Sequence, residues 1–159
     1  MLTLRGIPKN MKRPLLGRIG SSESDKEGRE KTILVNPGIT KKPLDGYMAV
    51  ICSNAELRSG TKCLRLPVVY NIKGLELLSE GDVVEIFPNG VISVLYQINS
   101  GHNVIFVTSK CDCNCIMCPQ PIDNNEGNLT ELNLKLISLM STTINEIALT
   151  GVTSHINPS

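Results

Sequence analysis

Four of the six cysteines in this chain fall within residues 111–118. Three of them, Cys111, Cys115 and Cys118, stand at C-x-x-x-C-x-x-C spacing in the run SKCDCNCIMCPQP. Neighbours this close are awkward disulfide partners and convenient metal ligands. Thiolates are the ligands that iron–sulfur clusters require. Three cysteines on one short loop can reach three corners of a cubane and leave the fourth iron open. A saturated cluster suits electron transfer, whereas an open corner suits a non-protein ligand, by the logic that separates structural from catalytic zinc. Cys113 lies between two of the three and is sterically hard to place on the same cluster, so we read it as incidental. A zinc loop would call for a second ligand pair roughly 12 or more residues away. Downstream there is only His155, and Cys52 and Cys63 are not spaced as a knuckle. The spacing therefore favours iron–sulfur over zinc.

The elements that must position this loop can be read around it. Val104-Ile105-Phe106-Val107 is a continuous apolar run, as in a strand covered on both faces. Thr108-Ser109-Lys110 ends it and the cysteines follow at once. Pro119-Gln120-Pro121 keeps the chain extended after the last of them, and residues 122–128 read as loop. Asn128 with Glu131 has the form of a capping box. Leu132, Leu136, Leu139/Met140 and Ile144 then form a stripe at helical spacing, read as core packing. Ile147–Thr150 predicts a second strand. Residues 103–150 thus predict one βαβ unit.

Upstream, short β-branched runs recur at Thr32–Val35, Tyr47–Cys52, Leu66–Asn71, Val83–Phe87 and Val91–Tyr96. They predict a small sheet or barrel closed by short turns. Pro88-Asn89-Gly90 marks a hairpin turn in which both Asn89 and Gly90 tolerate positive φ. Gly74–Ser79 predicts one helical turn. Residues 1–30, basic and then strongly charged, predict a poorly ordered arm or linker. The expected organisation is a flexible arm over 1–30, a β-rich domain over 31–100, the βαβ unit over 101–151 and a tail over 152–159.

Composition excludes several classes. The chain has 159 residues, enough for one ordinary domain or two small ones. A net charge of +1 gives no electrostatic case for nucleic acid or an anionic membrane. With 3% aromatic residues and no Trp, base-stacking platforms are not expected. No apolar run approaches the roughly 20 residues of a membrane helix, and the N-terminus does not read as a signal peptide. A cytoplasmic location is expected. Cys52 and Cys63 read as small buried hydrophobes, and His102 and His155 as surface or packing residues.

The strand, cysteine loop and helix resemble the signature of radical S-adenosylmethionine (SAM) enzymes, matched at Cys111, Cys115 and Cys118. More narrowly, HNVIFVTSKCDCNCIMCPQP resembles the radical SAM maturases of the His-Xaa-Ser peptide system. The match includes Cys115-Ile116-Met117-Cys118-Pro119-Gln120-Pro121 and a Gly-Asp-Val-Val…Gly-Val-Ile pattern over Gly81–Ile92. The resemblance implies a fold of α+β class: a small N-terminal β-rich domain followed by the first βαβ unit of an incomplete radical SAM (β/α) barrel. It implies a [4Fe-4S] cluster on the three cysteines and S-adenosyl-L-methionine on the open iron. It implies a 5′-deoxyadenosyl radical acting on a peptide with His-Xaa-Ser repeats, and an electron donor. Met117 would lie against the cofactor, and Thr150 and Gly151 would begin the Thr/Ser-Gly-Gly-Glu-Pro motif that holds the SAM amino group. Here the chain departs: Val152-Thr153-Ser154 replace the second Gly, the Glu and the Pro. The residues after Cys118 also fall short of the on the order of 200 that a full barrel needs. The expectation is a truncated, catalytically incomplete maturase. The alternatives are a small iron–sulfur or zinc binding module, or a non-catalytic interaction protein.

Overall fold

The computed structural model describes residues 2–20, 31–35, 46–53, 66–108, 129–143 and 146–151. Its largest feature is an eight-stranded sheet. The strands are β1 (Thr3–Arg5), β2 (Ile7–Lys9), β3 (Leu15–Gly20), β4 (Thr32–Val35), β5 (Ala49–Ile51), β6 (Val68–Tyr70), β7 (Val83–Ile86) and β8 (Val91–Tyr96). They pair in the order β1-β8-β7-β3-β4-β5-β6-β2. β1 and β2 stand at opposite ends of that order, yet Gly6 alone separates them in sequence. The two edges of a flat sheet of this size would lie about 33 Å apart, at about 4.8 Å per strand. One residue cannot span that, so the sheet closes on itself. Residues 3–9 act as a single seam strand, pairing with β8 through Leu4 and its neighbours and with β6 through Pro8 and its neighbours.

Gly6 sits where the seam strand changes partner. A Cβ there would lie 2.6 Å from side-chain carbons of both Val69 and Ile72, so only glycine fits without displacing them. Along the seam the side chains alternate. Leu4 points into the core, while Thr3, Arg5 and Ile7 face outward and are exposed. The arm expected over 1–30 is therefore corrected for residues 3–20, which form three strands of the sheet. Arg5 and Arg18 are exposed strand residues, Lys12 and Arg13 lie between β2 and β3, and β1 and β2 are only three residues each.

The five strands expected from the β-branched runs are present, with trimmed ends, and Leu75–Leu77 forms the short helical turn. The connections differ from the expected short turns. β3, β4, β5 and β6 run parallel. Parallel neighbours need crossovers of a dozen or so residues, and the intervening residues 21–31, 36–48 and 52–67 supply that length. The β7–β8 hairpin also differs in detail. The Gly90 amide donates to the Phe87 carbonyl at 2.9 Å and the Phe87 amide to the Val91 carbonyl at 2.8 Å. Gly90 takes φ +82, but Asn89 does not enter positive φ. Pro88 and Asn89 thus occupy a type I turn followed by a left-handed glycine, the three-residue hairpin loop.

The interior of the closed sheet is apolar. Leu4, Ile19, Ile33, Ile51, Val69 and Ile86 belong to one buried cluster. Outside the sheet, β9 (Asn103–Phe106), α1 (Leu129–Leu139) and β10 (Ile147–Thr150) complete the described chain. β9 and β10 pair in parallel as a separate two-stranded sheet, with Asn103 opposite Ile147 and Phe106 opposite Thr150. The expected strand, helix and parallel second strand are present, residues 109–128 between the first strand and the helix lying outside the described residues, and the chain is of α+β class.

An isolated helix the length of α1, 11 residues, is marginal in water. Its stability comes from docking. Leu136 and Leu139 are buried with Ile105 of β9 and with Val83 and Tyr96 of the closed sheet. Each such leucine contributes roughly 1.5–3 kcal/mol by burial. The boundary expected near residue 100 is consequently a connection within a shared core. Among the stripe residues, Leu132 and Met140 are half-buried, and Ile144 lies outside the described residues.

Candidate functional site

Because β9 and β10 are parallel neighbours, their C-terminal ends lie side by side. β9 leads through Val107 and Thr108 towards the cysteine-bearing residues, and β10 ends at Thr150 with Gly151 after it. The Val107 amide donates to the Thr150 carbonyl at 2.9 Å, extending the ladder one residue past β9. Gly151 takes φ +79. A Cβ there would run into the Thr108 carbonyl oxygen and approach the Phe106 ring at 2.8 Å. Glycine is required at this point on both counts, left-handed backbone and close approach. Of the residues implied for the cofactor site, Thr150 and Gly151 are thus placed directly beside the start of the cysteine segment. Cys111, Cys115, Met117 and Cys118 lie outside the described residues, as do Cys113, Asn128 and His155.

Two buried polar side chains hold this frame to the closed sheet. Asn103, at the start of β9, accepts from the Gln97 amide at 2.9 Å. Its amide nitrogen donates to the Gln97 and Ser100 carbonyls at 3.0 and 3.1 Å. It therefore completes backbone groups at the exit of β8 as a neighbouring strand would. Asp82 precedes β7 and is the second of these side chains. Its two oxygens accept from the Ser79 and Ile98 amides, each at 2.9 Å. Gly81 before it takes φ +100.

A third side chain, which sequence reasoning missed, acts at the cysteine end. Asn133 of α1 donates to the Phe106 carbonyl at 2.9 Å. It ties the helix to the last residue of β9, where the cysteine segment begins. The available signal was an amide beside the apolar stripe, between Leu132 and Leu134. Asn133 also lines a groove of about 420 Å³ between α1, β9 and the closed sheet. Phe106, Leu129, Leu132, Leu2 and Gln97 are among the residues that line it. His102 also lines it and is exposed, in keeping with a surface residue.

Cys52 is fully buried, with its thiol 3.8 Å from the Val69 carbonyl. It is a small core residue, as expected; Cys63 lies outside the described residues. Among the described residues no group of three or more His, Cys, Asp or Glu side chains could hold a metal ion. Among the same residues no helix is long and apolar enough to cross a membrane. No protein-family model matches the chain, and no curated protein matches it.

Proposed function

We propose that the chain binds a [4Fe-4S] cluster through Cys111, Cys115 and Cys118 and belongs to the radical SAM type, nearest in character to the His-Xaa-Ser peptide maturases. The observation that carries this reading is the C-x-x-x-C-x-x-C spacing between β9 and α1. The parallel pairing of β9 with β10 supports it, since it brings Thr150 and Gly151 to the same end as the cysteine segment. The donor set fits the group: three thiolates leave one iron open for the amino and carboxylate groups of SAM. The bound cluster would supply the electron that cleaves the SAM sulfonium to a 5′-deoxyadenosyl radical.

The chain's own residues would divide the remaining work. Gly151 leaves its backbone clear beside Thr108, and Thr150 begins the segment that meets the SAM amino group. Met117 presents a polarisable apolar side chain next to the last ligand. Asn133 positions the end of β9. With Val152-Thr153-Ser154 in place of the family's Gly-Glu-Pro, the glutamate contact to SAM is lacking. We therefore assign the chain cluster and weak SAM binding, not full turnover on a peptide.

Anaerobic reconstitution with iron and sulfide tests this. The expected result is about four irons per chain and a reduced-cluster electron paramagnetic resonance (EPR) signal that SAM perturbs. A filled cluster indifferent to SAM would make the chain an electron-transfer module. Stoichiometric zinc or no metal would exclude the reading.

A further inference from the structure

β9 has one paired edge and one open edge. In a parallel ladder, alternate residues of a strand turn their amide and carbonyl to opposite edges. The Val107 amide donates to Thr150, and the register sets Ile105 opposite Leu149. Asn103, Ile105 and Val107 therefore serve β10, while Val104 and Phe106 turn their backbone groups to the other edge. The Phe106 carbonyl agrees with this direction, because its partner is the Asn133 side chain of α1. Among the described residues β9 pairs with β10 alone. The Val104 amide, the Val104 carbonyl and the Phe106 amide thus have no backbone partner among them. Val104 is 50% exposed.

The groove of about 420 Å³ runs along this edge. Val104 and Phe106 line it, and so does Asn133, which reaches the edge at Phe106. Its volume lies within the roughly 300–1,000 Å³ of ligand sites. Leu95, Leu132 and Leu136 also line it. An unpaired strand edge is a template for a further strand, which would lie about 4.8 Å from β9. A peptide residue set opposite Val104 shares the exposed Val104 face. The residues on either side of it share the face of Ile105, which is buried with Leu136. The groove thus selects an apolar–polar–apolar triplet in extended form. An aliphatic chain would fill the apolar walls but leave the Val104 amide and carbonyl without partners.

We propose that this groove binds an extended, uncharged peptide segment as an added strand on the free edge of β9, with two apolar side chains directed toward α1 and the closed sheet. Main-chain bonds to Val104 and Phe106 supply the pairing, and the alternating side chains supply selectivity. The site uses no cysteine, so its test stands apart from that of the cluster.

The full chain is titrated against a labelled, end-capped peptide, Ser-Leu-Thr-Leu-Ser, read by fluorescence anisotropy. Replacing both Leu residues of the peptide by Ser is expected to weaken binding at least tenfold. Two further peptides carry one backbone N-methyl group each, on Thr or on the Leu after it. One of the two should lose at least tenfold: the first if the added strand is antiparallel to β9, the second if it is parallel. An apolar groove without strand pairing would leave both unchanged. Val104→Pro removes the amide on the free edge and keeps the ladder to β10, as proline at a strand edge does. It should weaken binding at least tenfold, and Leu132→Ser severalfold. Circular dichroism reports whether each variant is folded, and the N-methyl peptides test the pairing on the parent chain alone. The proposal is overturned if the peptide does not bind, if both N-methyl peptides bind as the unmodified one does, or if the folded variants bind it as the parent does. Tighter binding of dodecanoate than of the peptide would also overturn it.

Discussion

The Gly6 amide donates to the Gly90 carbonyl at 2.9 Å, and the two glycine backbones lie so close that a Cβ on Gly90 would strike the Gly6 carbonyl oxygen. This contact joins the seam strand to the β7–β8 hairpin where the sheet closes. Gly6→Val should therefore destabilise the fold by about 1–3 kcal/mol or more, as overpacking in a full core does. Gly90→Ala adds backbone strain to the same clash. Urea unfolding followed by circular dichroism measures both. Unchanged midpoints would mean that the sheet is open at this seam.

Asn103 and Asp82 are predicted to be structural struts of unequal visibility. Asn103→Ala removes three hydrogen bonds at a 6% exposed site. It should cost about 1–3 kcal/mol, because backbone groups at the exit of β8 lose their partners. Asp82→Ala should cost a similar amount through the Ser79 and Ile98 amides. Amide hydrogen exchange distinguishes the two. Asn103→Ala should raise exchange at Gln97, and Asp82→Ala at Ile98.

Leu136 anchors α1 between β9 and the closed sheet. Leu136→Ala is expected to cost about 2–5 kcal/mol and to release the helix before the sheet unfolds. The exposed Lys135–Glu131 pair at 2.6 Å is a control. Lys135→Ala should change stability by no more than about 0.5 kcal/mol. Thermal unfolding read at helical and strand wavelengths checks both.

Glu85 lies on β7 between Leu16 and Ser93 in register. Burial raises its carboxyl above the ordinary 4.5. The folded state then binds this proton more tightly than the unfolded state. Its contribution to stability is present in full below about 4.5 and is lost as pH rises through the raised value. Glu85→Gln should accordingly be more stable than the parent at pH 7 and indistinguishable from it at pH well below 4.5. Parallel urea titrations at the two pH values decide the sign.

For the cysteines, Ala replacement of Cys111, Cys115 or Cys118 should each abolish the reconstituted cluster, and Cys113→Ala should retain it. Iron content and the EPR signal under anaerobic conditions provide the measurement. Loss of the cluster in Cys113→Ala would reassign the ligand set.

Much of the architecture was legible because its signals are local. The β-branched runs gave β4 to β8, and the leucine stripe gave the buried face of α1. The run Val104–Val107 together with Ile147–Thr150 gave the two strands of the βαβ unit. The seam escaped because β1 and β2 are three residues each and are divided by Gly6. Alternation over so few residues, with Arg5 and Lys9 among them, resembles a solvated arm. Asn103 and Asn133 escaped because an asparagine reads as turn or surface until the backbone groups it satisfies are brought to it from elsewhere in the chain.

The amino-acid order by itself determined the cysteines, their C-x-x-x-C-x-x-C spacing and the strand and helix on either side, since residue chemistry and hydrophobic period depend on neighbours along the chain. Only the tertiary structure decided that the sheet closes through Gly6, that α1 docks on its outer wall, and that Gly151 comes to rest against Thr108 at the root of the cysteine segment. Those relations join residues far apart in sequence. They depend on which strand edges meet and which backbones approach too closely for a side chain, and no local pattern encodes that.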